Sequence, residues 1–134
     1  MCNIVTSLVV AVTVPIPMSK FDILRYESDP LSFAKGAVIF EEGEPGDCMF
    51  FVIEGSVSVR IGGVDRTRVE SGEVFGEMAL IDHAPRSATA VAATDCRLAA
   101  VNEQRFLRLV GEVPMFALHL MQVITHRLRR AHPG

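Results

Sequence analysis

Cysteine and clustered positive charge are both scarce in this chain, and each absence narrows its chemistry. Only Cys2, Cys48 and Cys96 are present. The number is odd and no pair stands at metal-ligand spacing, so a reduced, cytoplasmic setting is favoured. Cys48 and Cys96 lie in apolar runs and read as small buried residues. The net charge is −3, which argues against direct nucleic-acid binding, since that normally needs a basic patch. The one basic run, Arg127, Arg129 and Arg130, falls at the end of a predicted helix, where cations offset the dipole. The four histidines, His83, His119, His126 and His132, form no metal pattern; His119 and His126 share a helical face but no carboxylate joins them. They read as solvent or interface histidines, and no metal is expected.

Long apolar runs are short too. Ile4 to Val14 is almost all apolar and ends at Pro15-Ile16-Pro17. A membrane span needs about 20 such residues, so none is expected. No Lys or Arg precedes Lys20, so the positive flank of a signal peptide is missing. Residues 1–17 therefore read as an apolar N-terminal arm, rich in β-branched residues that suit a strand. Three readings compete: an appended arm, a poor export signal, or a native start at Met18 that leaves the arm unmade. The last is preferred.

The remainder, residues 18–134, is sized for one domain with its own core. Its composition, 49% apolar and 22% charged, is that of an ordinary globule. Ser19 is placed to cap a short helix carrying Phe21, Ile23 and Leu24, and Asp29-Pro30 breaks it. Short strands follow, punctuated at Lys35-Gly36, Gly43 to Asp47, Gly55, Gly62-Gly63, Ser71-Gly72 and Thr94-Asp95. Val57, Val59 and Ile61 alternate with Ser56, Ser58 and Arg60 as in a half-buried strand, and Gly62-Gly63 marks a hairpin. Six or more strands at this spacing predict a barrel or jelly roll. Asn102 is placed to cap a helix through Val110, and Pro114 opens a longer one. In that longer helix Ala117, Met121, Ile124 and Leu128 form one apolar row and Phe116, Leu120 and Val123 a second. The rows fit core packing against the barrel or a dimer seam.

One stretch carries most of the chemistry: Phe75-Gly76-Glu77-Met78-Ala79-Leu80, then, five residues on, Arg86-Ser87-Ala88-Thr89-Ala90. Gly76 permits a close backbone turn, and the free N–H groups of the helical turn behind it favour an anion. Arg86 can close on that anion with a planar, permanently charged fork. Glu77 is a lone acceptor beside it, suited to a sugar hydroxyl. One Arg plus backbone amides balances a phosphodiester without a metal.

This stretch resembles the phosphate-binding cassette of the cyclic nucleotide-binding domain family, found in cAMP-dependent kinase regulatory subunits, cyclic-nucleotide-gated channels and the bacterial catabolite activator. Glu42-Gly43-Glu44-Pro45-Gly46-Asp47, then Met49-Phe50-Phe51-Val52 and Gly55, matches a second family motif, with Phe40 where a smaller β-branched residue is more usual. The resemblance covers about residues 31–130. It implies a mainly β fold with flanking helices: an eight-stranded antiparallel jelly-roll β-barrel, a short phosphate-binding helix and C-terminal helices. It also implies that Glu77 takes the ribose 2′-hydroxyl. Gly76, Met78 and Ala79 then offer backbone contacts, Ala88 its N–H and Ser87 its hydroxyl to the phosphate. Val74 and Phe75 flank the cassette, and Val57, Val59 and Val74 are candidates for the base pocket, although each also suits ordinary core. Ser87 rather than Thr tilts the base toward adenine, hence cAMP, with cGMP open. Arg127 or Arg130 is a candidate lid over the purine.

The resulting expectation is a cyclic nucleotide sensor that shifts its C-terminal helices to control an effector protein or a homodimer formed through the last helix. The alternative is a ligand-silent jelly-roll interaction module, against which Arg86 and Glu77 speak. An enzyme is not expected, because no metal set or oriented general base accompanies Asp82 and His83.

Overall fold

The strand β3, Cys48–Glu54, organises the layers. Its sequence is one continuous apolar run, which suits a strand covered on both faces. Met49, Phe51 and Ile53 enter one core; Phe50 and Val52 enter another. A computed structural model describes residues 21–131, with the side chains of Asp22 and Ala131 excepted. The apolar arm 1–17 and the Ser19 cap lie outside the described residues.

The other strands are β1 (Leu31–Phe33), β2 (Val38–Phe40), β4 (Ser56–Ile61), β5 (Val64–Glu70), β6 (Val74–Phe75), β7 (Thr89–Ala92) and β8 (Cys96–Asn102). They pair antiparallel in two four-stranded sheets, ordered β1-β8-β3-β6 and β2-β7-β4-β5. The fold is the expected jelly roll, built as two facing sheets. Phe50, Val52, Phe75 and Leu98 of the first sheet meet Val57, Val69, Ala90 and Ala92 of the second. On the first sheet's outer face, Met49, Phe51, Val74, Ala99 and Val101 meet the helices.

Every turn read from the sequence falls between strands, and Gly62-Gly63 closes the β4–β5 hairpin. The alternation along β4 is less clean than its sequence suggests. Ser56 and Ser58 are buried as well as Val57, while Ile61 is exposed. The strand lies between β7 and β5, so Ser58 sits opposite both Val91 and Arg68, whose larger side chains shade it. Near the start of the described chain, Asp22–Tyr26 forms a 3₁₀ helix; Phe21 and Leu24 are buried and Ile23 is exposed.

The α-helices of the described residues are α1 (Glu77–Asp82), between β6 and β7, and α2 (Glu103–Glu112) and α3 (Met115–Ala131) after β8. The Asn102 side chain caps α2, accepting the Arg105 N–H at 2.8 Å. Pro114 directly precedes α3. Phe116 and Leu120 seat α3 on the core; Phe116 packs edge-on to Phe21 and Phe106. Each such burial contributes roughly 1.5–3 kcal/mol. The other row is outward: Met121 and Leu128 are exposed, Ala117 and Ile124 half-buried. Among the described residues no single helix is long and apolar enough to cross a membrane.

Candidate ligand site

Strand β6 delivers the cassette. Phe75 pairs with Phe50 and faces the roll interior; Val74 pairs with Phe51 and faces the helices. Gly76 then turns at φ 77°, a left-handed conformation that costs glycine little, and α1 begins at Glu77. A side chain at Gly76 would place its Cβ 2.8 Å from Arg86 Nη1. Both the turn and the closeness of the guanidinium require glycine here.

Arg86 is only 7% exposed. Its Nη1 donates to the Gly76 carbonyl at 3.0 Å and its Nη2 to the Cys48 carbonyl at 2.9 Å. The guanidinium lies 4.0 Å from the centroid of the Phe40 ring, a favourable cation–π distance. Phe40, Phe50 and Phe75 form one aromatic cluster beneath it. Among the described residues no carboxylate pairs with it, and its buried Nε has no hydrogen-bond partner. A buried charged donor left without an acceptor is costly, and an anion at that nitrogen would satisfy it. The residues present therefore fit a phosphodiester.

The glycine-rich turn before β3 holds this arginine from behind. Gly43 N–H donates to the Arg86 carbonyl and Arg86 N–H to the Glu44 carbonyl, both at 2.8 Å. At Gly46 an added Cβ would lie 2.3 Å from Arg86 Nε. The second sequence motif is thus a mount for the first. Cys48 contributes its carbonyl, and its thiol lies beside Arg86; burial raises the thiol pKa more than Arg86 lowers it.

Glu77 is buried, and its Oε1 accepts from Arg127 Nη1 at 2.8 Å. The second arm of that fork, Nη2, donates to the Val74 carbonyl at 2.5 Å. Arg127 and Arg130 also line a cavity of about 350 Å³ with Gly72, Val74, Val123 and His126, on the helix side and away from Arg86. Ala88 is buried, Ala79 is buried, and Met78 and Ser87 are exposed.

Arg86 meets Gly76 and the aromatic cluster that contains Phe75, whereas the Glu77 carboxylate is held by Arg127. Val57 and Val74 are not brought together: they lie in different cores, on opposite faces of the first sheet, and Val59 is half-buried. Phe40, Cys48 and Gly46 escaped sequence reasoning as partners of Arg86; the unusual size of Phe40 was the available signal. His119 is not a solvent histidine, since its ring stacks on Phe21 at 4.5 Å.

The model of the cyclic nucleotide-binding domain matches residues 30–112. The chain belongs to this family. It is 36% identical over 104 residues to the cyclic AMP receptor protein of Thermus thermophilus, covering 74% of this chain and 48% of that one. It is 49% identical over 82 residues to the cyclic nucleotide-gated potassium channel mll3241 of Mesorhizobium japonicum, covering 61% and 22%. Among solved structures, the catabolite activator protein of Thermus thermophilus superposes with a TM-score of 0.73 at 33% identity, covering 84% of this chain and 55% of that one. The chain thus spans about half the length of the receptor protein that it matches, and much less of the channel. It is a cyclic nucleotide-binding domain homologous to cAMP-responsive regulators.

Proposed function

We propose that this domain is a cyclic nucleotide sensor, best suited to cAMP, that controls a partner through its C-terminal helices. The supporting observation is Arg86: buried, mounted on the Gly76 and Cys48 carbonyls and an aromatic ring, with its Nε unmatched against Gly46. That nitrogen takes a phosphate oxygen, with the Ala88 N–H and Ser87 hydroxyl as further donors. Glu77 receives the ribose 2′-hydroxyl, which a 3′,5′-cyclic phosphate leaves free. Gly76, Met78 and Ala79 line the sugar and phosphate by their backbone. Ser87 favours adenine over guanine. No metal is required, because one bound negative charge meets one buried positive charge.

A cyclic nucleotide has roughly 22 heavy atoms, and about 0.3 kcal/mol per atom gives an affinity on the order of 10 μM. Ligand that binds one arrangement of the helices better shifts their population toward it, which is the output a partner reads. Calorimetric titration with cAMP and cGMP tests this. Micromolar binding with cAMP preferred is the expected result; no binding of either nucleotide overturns the sensor and favours the ligand-silent module.

A further inference from the structure

Strand β2 breaks the two-residue alternation at its end. Val38 pairs with Val91 and Phe40 with Ala90, so β2 advances two residues where β7 advances one. A bulge of this kind re-aims a side chain. Ile39 and Phe40, although consecutive, both pack against the core between the sheets. The Phe40 ring is braced there by Phe50 and Phe75, at centroid distances of 6.0 and 5.9 Å. Its free face meets Arg86: the guanidinium carbon sits over the Phe40 ring at 4.0 Å, against 5.8 Å for the Phe50 ring. The same ring borders the Gly76 turn, since a Cβ there would lie 3.4 Å from Phe40 Cε2.

We propose, building on the anion-receptor role of Arg86 above, that Phe40 is a positioning residue whose ring face keeps the guanidinium aimed at the phosphate site before ligand arrives. A carboxylate would hold the arginine too, but it would neutralise the charge and occupy the N–H edge that a phosphate needs. A ring face attracts the cation through its quadrupole and takes none of its in-plane donors. Arg86 Nε accordingly has no partner among the described residues, although the side chain is fixed on three sides. Phe40 acts on the ligand through the population of aimed Arg86. If only a fraction of the guanidinium stays on the ring, the apparent affinity falls by that fraction.

The test replaces Phe40, in the whole chain, by 4-fluoro-, 3,5-difluoro- and 3,4,5-trifluorophenylalanine. These rings keep nearly the same shape while the negative charge of the face is withdrawn in steps. Calorimetric affinity for cAMP should fall at each step, to a total of about 3- to 30-fold, the range of a cation–π contact. In an Arg86→Gln background the residual affinity should be flat across the series. A ring that serves only as packing would leave the affinity of the unmodified background flat as well. A flat or rising affinity there, or an equal fall without Arg86, overturns the proposal and leaves the sensor standing. If the unmodified protein binds no nucleotide, the sensor itself fails. A ligand-free measurement then still decides the contact. The Arg86 side-chain N–H resonances, shielded by the ring face, should move downfield in Phe40→Leu, and resonances that stay in place overturn it.

Discussion

Arg86 and Arg127 flank the same cassette from opposite sides of the first sheet and are held in opposite ways. Arg86 lies on the roll side, nearly inaccessible, supported by two carbonyls and an aromatic ring and, among the described residues, paired with no carboxylate. Arg127 lies on the helix side, partly exposed, and its charge is already met by Glu77. The difference teaches what each is able to do. A buried cation without a counterion has its strongest interaction still to make, which suits a receptor for an anion. A paired cation at the end of a helix has its interaction made, which suits a structural tie.

The largest way to sharpen this contrast is Arg86→Ala. Loss of one charge-assisted contact should weaken cyclic nucleotide binding by about 10- to 150-fold, read by calorimetry, with amide exchange at the end of α3 little changed. Affinity equal to that of the unmodified protein would break the assignment. Next is Gly46→Ala, which touches only the Arg86 side. Its Cβ collides with the guanidinium, so a loss of about 1–3 kcal/mol in stability is expected, as for overpacking, together with weaker phosphate binding. Denaturant titration and calorimetry check the pair; unchanged values of both would mean that Arg86 moves aside freely.

A third prediction concerns the helix side alone. Arg105 bonds Glu27 and the Ala100 carbonyl. The Arg105 hydrogen bond, outweighing the opposing effect of burial, holds the Glu27 carboxyl below its ordinary range, with the Asp29 N–H assisting. Because the folded pKa is depressed, this stabilisation is present above the unfolded pKa and is lost as pH falls through the folded one. Arg105→Ala should therefore be less stable than the unmodified protein at neutral pH, and the gap should narrow on acidification through the carboxylate range. A gap constant with pH would contradict the pairing. The smallest effect is Asn102→Ala, which removes the α2 cap. It should cost about 1 kcal/mol in thermal unfolding and leave affinity for cAMP unaltered.

The two arginines also mark where the sequence was legible. Arg86 sits in a linked pattern with Gly76 and Glu77, close in the chain and local in its geometry, so its place could be read directly. The turns and the two-sided strand β3 were equally local, being written in glycines and an unbroken apolar run. Arg127 stands 50 residues beyond its partner Glu77, and no spacing rule joins a helix end to a cassette so distant. Its local context, a basic helix terminus, gives the dipole reading instead. Phe40 and Cys48 are similar cases, since a ring face or a carbonyl that supports a guanidinium has no sequence signature. Val57 and Val74 both read as apolar strand residues, but only the register of β3 with β6 shows that Val74 faces the helices.

The most direct measurement is the Arg86 Nε–H resonance in a ¹H–¹⁵N spectrum, assigned by its loss in Arg86→Lys. Addition of cAMP should shift it strongly as the unmatched nitrogen gains a phosphate acceptor, whereas adenosine, which lacks the phosphate, should leave it in place. A resonance that stays fixed while cAMP binds would contradict the role of Arg86 as the anion receptor.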